Sequence, residues 1–110
     1  FDNWFGSIQP YSIANLAAGQ TATLQLADMN PGETAIFAYS RTGPGPTLTN
    51  YGWVDMSLPI RTVGGGVAGT DGVARFDVLV PAIASGLTIY SQALNVTTTE
   101  LSNSVGMVVQ

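Results

Sequence analysis

The 110 residues hold seven acids and three arginines, with no lysine, histidine or cysteine; 9% are charged and the net charge is −4. A typical domain carries about a quarter charged residues. So few cations exclude the basic footprint a nucleic acid needs, and the missing histidine and cysteine exclude the common nucleophile–base pairs and cysteine metal sites.

The length suits one domain with a single core. No apolar run approaches the roughly 20 residues of a membrane span, so membrane insertion is not expected. In chain order, residues 1–15 read as an N-terminal arm and residues 16–110 as a β-sandwich domain. The chain opens on Phe1 instead of Met, the expectation for a mature or excised form. The arm is aromatic and apolar through Phe1, Trp4, Phe5 and Ile8.

The first clear strand covers 20–26, where Ala22, Leu24 and Leu26 alternate with Thr21, Thr23 and Gln25. That period of two marks a strand with one dry face and one wet face. Asn30-Pro31-Gly32 then reads as a turn, with a pre-set proline φ followed by a glycine that tolerates positive φ. Residues 33–40 are apolar on both faces through their middle, as a central strand requires. A long connection over 41–54 follows, containing Gly43-Pro44-Gly45-Pro46, Tyr51 and Trp53. Connections beyond about 12 residues are uncommon in compact domains unless they bind, cover or assemble something.

Residues 56–63 form a weaker, proline-interrupted strand candidate near an edge, and Gly64-Gly65-Gly66 reads as a flexible connection. Asp71-Gly72 is a second turn. Over 73–80, Ala74, Phe76, Val78 and Val80 share one face, with Arg75 and Asp77 turned to water. Residues 87–94 give another central strand, and 104–110 alternate again with Val105, Met107 and Val109 together. No stretch sustains apolar residues at helical spacing. Short strands with frequent turns predict an all-β, antiparallel sandwich with an N-terminal extension.

Residues 16–110 resemble the immunoglobulin-like β-sandwich modules of exported bacterial proteins. The resemblance is carried by Ala18-Gly19-Gln20-Thr21-Ala22, by Asp71-Gly72-Val73-Ala74 leading into Val80-Pro81-Ala82, by Ser85-Gly86-Leu87 with Tyr90-Ser91-Gln92-Ala93, and by Leu101-Ser102-Asn103-Ser104-Val105. It implies a structural unit of a secreted or surface protein and supplies no catalytic residue. The cysteine pair of antibody-type domains is missing.

Asp28, Asn30 and Glu33 gather oxygen-bearing side chains, as calcium loops do, but a calcium loop starting at Asp28 would place Glu33 where glycine belongs and Tyr39 where glutamate belongs. A plain turn is the better reading, and neither metal nor cofactor is expected. Asp55 with Asp77 or Glu100 could be imagined as a hydrolytic carboxylate pair, yet any seven acids offer such pairs. Trp4, Phe5, Tyr11, Tyr51 and Trp53 lie outside the clear strands and suit local packing, subunit contact or stacking on sugars, in that order. Asn95-Val96-Thr97 is an N-glycosylation sequon, and Thr97, Thr98 and Thr99 could accept O-linked sugar; an ordinary polar turn is the plainer reading.

The leading expectation is a structural protein of the cell exterior or surface, without enzymatic activity, that assembles with copies of itself into a filament or surface layer. Phe1, Trp4, Phe5 and Ile8 would supply the contact by adding the arm to a neighbouring sheet edge. The alternative is a carbohydrate-binding or adhesive module of a larger exported protein, with Tyr51 and Trp53 on the glycan.

Overall fold

In the computed structural model, which describes residues 10–50 and 52–110, the chain is all-β and its paired strands are antiparallel. Among the described residues ten strands run in chain order: β1 Tyr11–Ala14, β2 Thr21–Leu26, β3 Thr34–Ser40, β4 Thr47–Thr49, β5 Gly52–Val54, β6 Arg61–Val67, β7 Ala74–Leu79, β8 Thr88–Asn95, β9 Glu100–Leu101 and β10 Val105–Val108. One sheet has the order β1-β2-β7; the other has β10-β8-β3-β6, with β9 also paired to β8. Leu26, Ala22 and Ala74 from the first sheet share one buried cluster with Phe37, Ala35 and Ala93 from the second. The two sheets therefore pack face to face, in the manner of a β-sandwich.

The alternating strands behave as their pattern dictates. Ala22, Leu24 and Leu26 are buried on β2, while Arg75 and Asp77 of β7 are exposed. β3 and β8, largely covered on both faces, pair with each other in the middle of the larger sheet, Phe37 opposite Ala93. Asn30-Pro31-Gly32 and Asp71-Gly72 are turns. Gly72, at φ 75°, lies so close to Met29 that an added Cβ would sit 2.5 Å from its carbonyl oxygen.

Two segments differ from the sequence expectation. Residues 11–14, counted with the arm, form β1, an edge strand paired with β2 from Tyr11–Leu26 to Ala14–Thr23. The Asn103 side-chain amide holds β1 against the second sheet: its Oδ1 accepts from Tyr11 N at 2.8 Å and its Nδ2 donates to Tyr11 O at 3.2 Å. The glycine run, expected as a flexible connection, is the middle of β6. A Cβ on Gly64 would fall 2.5 Å from the Phe76 ring, and one on Gly66 would fall 2.7 Å from the Arg75 carbonyl oxygen. Glycine is required there because β6 and β7 come together closely where the two sheets meet.

The long connection over 41–54 contains the β4–β5 hairpin. Its base is tied down by the Ser40 hydroxyl, which donates to Ser57 O at 2.6 Å, and by the Thr42 hydroxyl, 2.9 Å from Leu58 O. Gln92, also buried, accepts from Asp55 N at 2.9 Å and donates to Ser102 O at 2.7 Å. Those bonds satisfy a polar side chain that would be costly to bury alone.

An apolar cleft between the sheets

Packing between the sheets is uneven along the strands. At one pole Tyr11 stacks on Phe37, with ring centroids 5.7 Å apart and planes 29° apart. The Ser91 hydroxyl donates to Ala38 O at 2.7 Å, so the Tyr11 hydroxyl, 2.7 Å from Ser91 Oγ, is the donor of that second bond. Burial pushes the Tyr11 phenol up to about 12.

Toward the other pole the sheets separate. A cleft of about 400 Å³ opens there, walled by Ile13, Leu24 and Val78 on one side and by Tyr39, Val63 and Ile89 on the other. A β-bulge shapes one wall. β6 pairs with β3 at Phe37–Gly64 and next at Ala38–Thr62, so Val63 is an extra residue in the ladder. Such a bulge bends its strand and re-aims the side chain, and Val63 lies on the cleft wall.

The rim is apolar as well. Leu79 is 68% exposed, Ile83 92% and Leu87 38%. Ile83 projects from a single 3-10 turn, Ala82–Ala84, that buries none of its residues. Two of the three arginines stand at the mouth: Arg41 lines the cleft, and Arg41 and Arg61 both line a smaller depression of about 260 Å³ beside it. Among the described residues neither has an ion-pair partner, whereas the third, Arg75, pairs with Asp71 at 3.0 Å. This lining resembles that of ligand sites, mostly apolar with a few convergent polar groups.

The residues singled out from sequence are scattered. Phe1, Trp4, Phe5, Ile8 and Tyr51 lie outside the described residues. Trp53 is 63% exposed on β5, directly opposite Leu48, also 63% exposed. Asn95 is fully buried. Its Oδ1 accepts from Thr97 N at 3.1 Å and its Nδ2 donates to Glu33 Oε1 at 3.0 Å. The folded chain thus seals away the nitrogen an N-linked glycan would require, and Asn95 serves as the organiser of its own turn. Thr97 Oγ1 accepts from Thr34 N at 3.0 Å and Thr99 Oγ1 donates to Thr98 O at 2.6 Å; all three threonines are exposed.

The acids fall apart too. Glu33 braces the Asn30 turn, and the Asn30 N–H, with the Asn95 amide, holds its carboxyl below the usual range. Asp77 accepts from Thr23 across β2 and β7 at 2.7 Å. Among the described residues no three acids gather as metal ligands would, and no helix is long and apolar enough to cross a membrane.

The cleft and its arginines are what sequence reading missed. One signal was present: Leu79 shares its strand face with Arg75 and Asp77, an apolar residue on an otherwise wet side. Comparison with known protein families, with curated proteins and with solved structures finds no match to this chain.

Proposed function

We propose that this chain is an immunoglobulin-like structural module of the cell exterior, a self-assembling subunit of a filament or surface layer, and not an enzyme. The strand orders β1-β2-β7 and β10-β8-β3-β6 support the immunoglobulin-like reading. On that reading they take the places of the A-B-E and G-F-C strands, with β6 beside C.

The observation that carries self-assembly is the apolar cleft with Leu79, Ile83 and Leu87 exposed around it. Apolar surface concentrated in one place marks contact sites. With 9% charged residues, copies meet with little repulsion and little ionic desolvation. Sedimentation across a concentration series, with electron microscopy of the concentrated material, tests this. Growing particles that shrink in Leu79→Asp are expected; a chain that stays monomeric at every concentration overturns the reading.

A second reading is favoured by one feature, the exposed Trp53–Leu48 pair on the β4–β5 hairpin. A protruding indole stacks on sugar faces, so the hairpin would make the chain a glycan-binding module. Saturable glycan-array binding that disappears in Trp53→Ala is the expected result for this alternative.

A further inference from the structure

Resting on the self-assembly reading, we propose that the cleft is an acceptor site for residues 1–9 of a neighbouring copy, laid between the sheets beside the free edge of β7. Placement argues first. Ala27 N donates to Pro10 O at 2.9 Å, so Pro10, to which residues 1–9 are joined, sits at the pole where Tyr11 pairs with Leu26. The cleft opens toward the other pole, where Thr21 pairs with Leu79 and where Val80 N donates to Gln20 O at 2.9 Å. Nine residues extend at most about 30 Å. To fill its own cleft the segment must double back along the molecule; to fill a neighbour's it need only continue. A contact between opposite poles is heterologous, and repeated without closure it makes an open fibre.

Chemistry argues second. Trp4 and Ile8 match the apolar walls, and Asp2 is the segment's one charged residue. In a strand, Asp2, Trp4 and Ile8 share a face. Trp4 and Ile8 turned inward leave Asp2 on the same side, to meet Arg41 and Arg61 at the mouth. β7 is paired only with β2 among the described strands; Gly64 and Gly66 of β6 press on it at Phe76 and Arg75, and beyond them the Asp77–Leu79 backbone is the edge that a further strand would join. An open cleft of about 400 Å³ otherwise holds about a dozen waters against apolar walls.

The test uses the full chain. Trp53→Phe leaves Trp4 as the single tryptophan, and its emission is followed while association is measured by sedimentation. A blue shift that grows with association is expected. In the same background, Asp2→Arg alone, or Arg41→Glu with Arg61→Glu, sets like charges against each other and weakens association on the order of tenfold. Mixing those two variants pairs each arm with an opposite mouth and restores both association and the blue shift.

Restoration by all three changes in one chain without restoration by mixing places the arm in its own cleft and overturns the proposal. So does association that proceeds with Trp4 emission constant and charge variants unaffected, although self-assembly then stands. A medium-chain carboxylate that saturates the cleft without dispersing the assemblies assigns it to a small amphiphile and also overturns the proposal. Failure of the unaltered chain to associate removes the self-assembly reading itself.

Discussion

The two poles of the space between the sheets are built from the same strands and end differently. At the closed pole, Phe37 and Leu26 are fully buried and Tyr11 is 3% exposed; β6 and β7 touch there through glycines. At the open pole the same strands present Val63, Val78 and Ile89, each half-buried, around unfilled space. The difference teaches where stability is concentrated. Tight contacts fix the fold at one end, which leaves the other end free to hold apolar surface that the chain does not cover with its described residues.

The largest effect should therefore come from the closed pole. Phe37→Ala removes a ring enclosed on every side and should lower stability by about 3–5 kcal/mol. Ile89→Ala, on the cleft wall, should cost clearly less, because its site already borders solvent. Urea denaturation of both variants measures the gap; equal losses would mean that the two poles are packed alike.

Gly66→Ala tests the close approach directly. Its Cβ would meet the Arg75 carbonyl oxygen at 2.7 Å, a backbone atom that cannot swing aside. Spreading the sheets to admit it should cost about 1–3 kcal/mol. A neutral Gly66→Ala in the same denaturation experiment would show that β6 and β7 tolerate a wider spacing.

These two positions also show what a sequence can disclose. β2 and β7 were legible because one face is dry and one is wet, and β3 and β8 because both faces are covered. β6 was not, since glycine carries no side chain from which a period can be read, and its role depends on Phe76 and Arg75, ten or so positions away. β1 is only four residues long, too short to display a period, and its place is fixed by Asn103 from the far end of the chain. The cleft is a relation between the ends of several strands. Only Leu79, apolar on a charged face, hinted at it. Asn95 was visible as a sequon, but its burial depends on Glu33 and on the turn that follows it.

Tyr11 gives the closed pole a dependence on alkaline pH. Its phenol titrates near 12 when folded and near 10 in an unfolded chain. The neutral form is the one the fold favours, so its contribution is fully present below pH 10 and is lost as pH rises through 12. That amounts to about 2–3 kcal/mol. Tyr11→Phe forfeits the bond to Ser91, costing about 1 kcal/mol below pH 10, but has no proton to lose. The two stability curves should approach and then cross between pH 10 and 12; parallel curves would place the Tyr11 hydroxyl in contact with water.

The smallest effect on stability should come from the open pole. Ile83 is 92% exposed on a turn that buries nothing, so Ile83→Ser should change stability by no more than about 0.5 kcal/mol. If the rim exists for contact, however, the same change should shift the association curve to higher concentration, separating what the residue does for the fold from what it does between copies. A loss of stability without a shift in association would make Ile83 part of the fold's own packing and leave the rim without a role in assembly.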